Sequence, residues 1–145
     1  MTLRHTRQDS IWALVFAAWL VALTASLGAL FLGEVMGMTP CVLCWYQRIS
    51  MFPLVLVLGV GLLPFDARSS RYGLPLAAVG WIMALYHCLL YWGVIPPDLV
   101  PCGQGASCSQ IDLQLLGFIT IPLLSLTAFT LILALLIFAQ RGIQK

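Results

Sequence analysis

Charge is scarce in this sequence. Of its 145 residues only 8% are Asp, Glu, Lys or Arg, while 61% are hydrophobic. Ordinary globular chains carry roughly a quarter charged residues, so a soluble domain of this size could not hide so much apolar surface. A basic run with interleaved aromatics is missing too, and the net charge is only +2. Nucleic acid is thereby excluded as a partner. Only closed barrels and helices satisfy their backbones in lipid. Strict two-residue alternation of apolar and polar side chains is absent, which leaves helices. No repeat or low-complexity tract is evident. Haem, nucleotide-loop and iron–sulfur spacings are also absent, so no motif for a resident redox group is present.

Four long apolar stretches are present, at about 11–32, 42–63, 72–95 and 118–139. Each is roughly 20 residues or slightly longer, enough to cross a hydrocarbon core of about 30 Å at 1.5 Å per residue. The expected architecture is all-α: one integral membrane domain over residues 1–145, built as a four-transmembrane-helix bundle. Arg4 and Arg7 precede the first stretch, as they would a signal peptide. Its apolar run exceeds the ~7–15 residues of a signal h-region, and no convincing small-x-small cleavage site precedes Glu34, so it reads as a retained helix. Gly28, Gly33, Gly59, Gly61 and Gly80 are small positions that suit close helix packing.

The few cations are sorted by position. Arg4 and Arg7 lie before the first stretch, Arg68 and Arg71 between the second and third, and Arg141 and Lys145 after the fourth. With four spans these segments share one side, which the positive-inside rule makes the cytoplasm, so both termini are expected there. The loops at about 33–41 and 96–117 must then lie outside. They hold Glu34, Asp98 and Asp112 and no lysine or arginine. Four of the five cysteines fall on this outer side, where disulfides form and persist: Cys41 and Cys44 at the mouth of the second stretch, Cys102 and Cys108 in the long loop. That loop is rich in Pro and Gly and reads as irregular. The interleaved leucines after it, at 113, 115 and 116, suit a segment lying in the membrane interface.

The informative run is Met38-Thr39-Pro40-Cys41-Val42-Leu43-Cys44-Trp45-Tyr46-Gln47-Arg48. Thr39 suits a helix cap and Pro40 a first helical turn. Cys41 and Cys44 then fall in the first turn, where the helix dipole favours a thiolate. Arg48 lies four residues beyond Cys44, on the same face. Cβ atoms at i and i+3 of a helix are about 5–6 Å apart, whereas a disulfide wants roughly 3.5–4.5 Å. The first turn must therefore distort to close a Cys41–Cys44 bond, which makes the bond easier to reduce. Stabilising the reduced thiolate acts in the same direction, and about 30 mV corresponds to roughly 1.4 kcal/mol.

Three readings of the cysteines fit this spacing. They are a redox-exchanging pair, a zinc site completed by Cys102 and Cys108, and two inert disulfides. Arg48 is either an interfacial anchor beside Trp45 and Tyr46 or the holder of a polar ligand and of negative charge. His87 lies at a comparable outer depth in the third stretch, as an interhelical hydrogen-bonding group or a site residue. Cys88 reads as a packed thiol. If the pair is redox-active, the electrons need an acceptor. By elimination, an apolar two-electron acceptor in the bilayer, a membrane quinone, is the natural candidate.

These residues resemble the bacterial disulfide bond formation protein B family of thiol–quinone oxidoreductases, in its shorter disulfide formation protein C type. The resemblance rests on Pro40 to Arg48, on Tyr86-His87, on Pro101-Cys102 with Cys108-Ser109-Gln110, and on Leu116 to Pro122. It covers nearly the whole chain. It implies that Cys102 and Cys108 form a loop disulfide that accepts electrons from a soluble, extracytoplasmic thioredoxin-like thiol oxidase. Cys41 and Cys44 then oxidise the loop pair and pass electrons to membrane quinone, ubiquinone or menaquinone. Arg48 maps onto the family's quinone-site arginine and His87 onto its helix-3 histidine, and no metal is implied. The six-position spacing of Cys102 and Cys108 departs from the wide separation of longer members, leaving the loop less slack to travel.

Overall fold

The computed structural model describes residues 2–95 and 120–144. Cys102, Cys108 and the expected interfacial segment lie outside the described residues. The helices are α1 (Thr2–Leu30), continued by one π-helical turn (Phe31–Val35), then α2 (Val42–Leu62), α3 (Ser69–Tyr91) and α4 (Ile121–Gln144). All four are long and apolar enough to cross a membrane, α1 together with its π turn. Helix α1 thus begins well before the apolar stretch does, and α3 lies about three residues earlier than its stretch. Hydropathy marks the part of a helix that lipid surrounds, whereas backbone hydrogen bonding continues into polar flanks.

Each helix packs on two neighbours, giving the ring α1–α2–α3–α4 and back to α1. Lipid tails are as apolar as leucine, so this packing rests on van der Waals fit and on interhelical polar bonds rather than on expulsion of water. The fully buried side chains recur at helical spacing: Val15, Ala18 and Ala22 on α1, Leu54 and Leu58 on α2, Ala77 and Ala84 on α3, and Phe129, Ile132 and Leu136 on α4. Alanines on α1 and α3 make room for the large groups of α2 and α4. At Gly80 the Phe129 ring lies where a Cβ would stand, so only glycine admits it. Gly28 departs from the packing expectation, since nothing lies within 4 Å of the Cβ it lacks. It borders a cavity instead. Large apolar groups such as Ile49, Leu56, Val60, Ile82 and Phe138 face outward.

Two connections set the outer end of the bundle. The π turn of α1 leads through Gly37, at φ +67°, into an extended segment that enters α2. Helix α3 ends in a Schellman motif: the N–H of Gly93 donates to the Leu90 carbonyl, and that of Val94 to the Leu89 carbonyl, with Gly93 at φ +72°. At the opposite end a short turn containing a cis Leu63–Pro64 peptide joins α2 to α3.

Candidate active site

Helix α2 starts one residue after Cys41, not at Thr39. Cys41 is itself the N-cap, with an extended backbone (φ −68°, ψ 166°), and its Sγ accepts the Cys44 backbone N–H at 3.3 Å. A thiol at Cys41 is long enough to reach back over the first turn and take the cap role in place of the expected Thr39. The consequence answers the Cβ-distance problem posed by an i, i+3 pair within a helix. Because Cys41 has left helical geometry, its sulfur folds over the helix end and stands 2.7 Å from Cys44 Sγ. Both cysteines are free thiols here.

The two sulfurs have different surroundings. Cys41 is buried and packs with Leu43 and Leu90, with Tyr86 beside them. His87, buried on α3, brings its Nε2 to 3.9 Å from Cys41 Sγ. The Cys41 thiol is held well below the usual thiol range, first by the side-chain hydrogen bond from Cys44. Burial opposes this, while the His87 contact and the Cys44 backbone N–H assist it.

Cys44 lies on a cavity of about 700 Å³ bounded by α1, α2 and α4. Arg48 lies on the same wall, as do Gln47, Ser26 and Ser125, and the remaining lining is mainly apolar. Leu20, Leu124 and Leu131 on its walls are exposed, so the cavity opens at the surface of the bundle. Arg48 is held at three points. Its Nη2 donates to the Ala29 carbonyl at 2.7 Å, and its guanidinium sits 5.7 Å from the Trp45 ring centroid. It also passes over Gly33, where an added Cβ would be 3.1 Å from Nη2. Anchor and cavity-wall residue are thus one side chain.

His87, expected with Arg48 at one ligand site, is absent from the lining of this cavity and turns to Cys41 instead. Helical spacing gives depth along an axis but not which neighbour a side chain meets. The structure also brings in two groups to which the sequence reading gave no role. The Gln47 Nε2 lies 3.2 Å from His87 Nδ1, and the Ser125 hydroxyl donates to Gln47 Oε1 at 2.7 Å. The signal for Gln47 was a polar side chain inside an apolar stretch, which in a membrane calls for a partner. Ser125 offered no such signal, since hydroxyls recur along the same stretch.

The sulfurs of Cys41 and Cys44 and a ring nitrogen of His87 all lie within 4.8 Å of one another, a spacing that could hold a metal ion. The hydrogen bonding works against it. The Gln47 amide nitrogen, a donor, faces His87 Nδ1, and an imidazole that accepts there would turn an N–H and not a lone pair toward the sulfurs. Cys88 is buried next to His87 in sequence, and no contact of its sulfur with the pair is found among the described residues.

With a paired CxxC at a helix end inside a four-helix bundle, comparison with known proteins is decisive. The family model for disulfide bond formation protein DsbB matches residues 8–139. The chain belongs to the DsbB family. A "Probable disulfide formation protein" of Metapseudomonas resinovorans is 47% identical over 131 residues, covering 90% of this chain and 91% of the relative. "Disulfide bond formation protein C" of Bacillus subtilis (strain 168) is 44% identical over 119 residues, 82% of this chain and 86% of the relative. A "Probable disulfide formation protein" of Deinococcus radiodurans is 38% identical, covering 89% and 90%. No solved structure matches. DsbB-family membership and four apolar helices make this a multi-pass membrane protein with a disulfide-forming role.

Proposed function

We propose that the protein is a thiol–quinone oxidoreductase, which reoxidises a soluble thioredoxin-like thiol oxidase outside the cytoplasm and passes the electrons to membrane quinone. The observation that carries this reading is the division of the pair. Cys41 sits under the helix end with His87, while Cys44 borders a cavity that opens toward the bilayer and holds Arg48. One sulfur is thus placed for exchange with another thiol and the other for an apolar acceptor.

The cavity suits a quinone by its chemistry. Its walls are mainly apolar, Arg48 offers a fixed cation, and Ser26 has a buried hydroxyl with no hydrogen-bond partner among the described residues. A bound quinone would accept the two electrons and two protons released when the Cys41–Cys44 bond re-forms. On the protein side, a partner thiolate attacks one sulfur of a Cys102–Cys108 disulfide, and the partner's second thiol resolves the mixed disulfide. The partner leaves oxidised and the loop pair reduced. A loop thiolate then attacks the Cys41–Cys44 bond and its neighbour closes the loop disulfide, which leaves Cys41 and Cys44 as thiols. Low thiol pKa makes Cys41 a good leaving group in that exchange. Arg48 steadies negative charge at the Cys44 side, and His87 does so at Cys41. By the positive-inside rule both termini lie in the cytoplasm and the cysteine pairs outside.

The deciding experiment is quinone reduction by the purified, detergent-solubilised protein with a reduced thioredoxin-like protein as electron donor. Turnover that vanishes in Cys44→Ser is the expected result. No turnover with either ubiquinone or menaquinone, together with one stoichiometric zinc, would overturn the reading in favour of a metal-stapled bundle.

A further inference from the structure

We propose that Gln47 and Ser125 are positioning residues, which hold His87 in its Nε2–H tautomer so that it donates a hydrogen bond to Cys41. The inference rests on the exchange reading of the cysteine pair, but its central readout does not need activity.

Four side chains from three helices form a single directed chain. The Ser125 hydroxyl on α4 is 2.7 Å from Gln47 Oε1 on α2, Gln47 Nε2 is 3.2 Å from His87 Nδ1 on α3, and His87 Nε2 is 3.9 Å from Cys41 Sγ. The first distance falls at the mode for O–H···O bonds, which makes the serine the donor and Oε1 the acceptor. The amide must then present its N–H₂ to the ring, and Nδ1 must accept. A neutral imidazole with Nδ1 accepting carries its hydrogen on Nε2. That hydrogen faces a sulfur which also receives the Cys44 backbone N–H. Every donor in the chain points toward Cys41, as stabilisation of an anion there requires.

The fold provides the means. Gln47 and His87 are 7% and 1% exposed, so the amide and the ring meet in a largely buried setting. Helices α2 and α4 are not adjacent in the ring of helices, and the Ser125–Gln47 bond spans that diagonal. The amide is thus gripped from both sides. Other titratable groups near Cys41 are Cys44 on its own side and Tyr86, packed beside it on α3. Arg48 lies toward Cys44 on the cavity wall. Among the described residues it is the Gln47 amide that meets the ring at Nδ1.

The test uses reduced, ¹⁵N-histidine-labelled full-length protein carrying His5→Gln, which leaves His87 as the single imidazole signal. The ring ¹⁵N shifts should report hydrogen on Nε2 in this background and a mixture of tautomers after Gln47→Leu. In parallel, alkylation of Cys41 is followed against pH in Cys44→Ala protein. A lowered thiol pKa means that the thiolate persists as the pH falls below the ordinary thiol range. Gln47→Leu should therefore move the midpoint of the alkylation profile up by about one pH unit, which cuts the rate about tenfold at pH values below both midpoints. Ser125→Ala should do the same in smaller measure, and Ser125→Thr, which keeps the hydroxyl, should restore the profile. Hydrogen on Nδ1 in the parent protein overturns the proposal. So does an unchanged tautomer and pH profile in Gln47→Leu. Failure of quinone turnover with the tautomer effect intact would count against the proposed function alone.

Discussion

Cys41 and Cys44 stand 2.7 Å apart, but they border different parts of the molecule. Around Cys41 the bundle is closed: the sulfur caps α2, packs on Leu43 and Leu90, and meets a buried imidazole. Around Cys44 it is open, with a cavity of about 700 Å³ and an arginine tied to α1. The difference teaches how one helix turn can serve two kinds of chemistry. A thiol–disulfide exchange needs a sulfur whose charge is stabilised by fixed donors, whereas an apolar acceptor needs space, an apolar wall and a single polar anchor. Placing the first cysteine at the cap and the second inside the helix turns the two sulfurs toward those separate environments.

The sharpest way to break the comparison is to remove the sulfurs themselves. Cys41→Ser and Cys44→Ser should each abolish donor-to-quinone turnover, and the double variant should lose no more than either one, because residues that act as a unit are not additive. Residual turnover in either single variant would show that the pair does not work as one. A finer contrast crosses the two sides. Arg48→Ala should raise the quinone concentration needed for half-maximal rate by about tenfold or more, as loss of a charge-assisted hydrogen bond of roughly 1.5–3 kcal/mol implies. It should leave thiol exchange with the donor intact. His87→Phe should do the reverse, raising the pH midpoint of Cys41 alkylation and slowing exchange with little effect on quinone affinity. The lowered Cys41 pKa sets the sign, since loss of a stabilising donor moves the midpoint up. If both variants change the same parameter, the division between the sides is wrong. The smallest effect is expected at Cys88. It is buried beside His87 in sequence, and no contact of its sulfur with the pair is found among the described residues. Cys88→Ala should keep turnover within about twofold and cost about 1 kcal/mol of stability, the usual scale for a modest core change.

Much of the fold was legible because its cause is local to the chain. Apolar runs of about 20 residues with few charges permit little besides helices in lipid, and the sequence order of four such runs limits the bundle to a few arrangements. The chemistry of the outer end was legible in part. The Cys41–Cys44 spacing and Arg48 lie on one segment, so their proximity needed no tertiary information. The cap was expected two residues early, because Thr39 has the better intrinsic preference, whereas the folded chain keeps Cys41 extended and its sulfur caps the helix.

By itself the sequence determined a charge-poor, four-span membrane chain with a CxxC at one helix mouth and an arginine one turn deeper. Only the tertiary structure decided that His87 turns to Cys41 while Arg48 and Cys44 share a cavity, and that Gln47 links the imidazole on α3 to Ser125 on α4. The physical reason is that periodicity encodes the depth and face of each helix separately. Rotation about the axis, relative to three neighbours, is set by how large groups such as Phe129 seat against gaps such as Gly80.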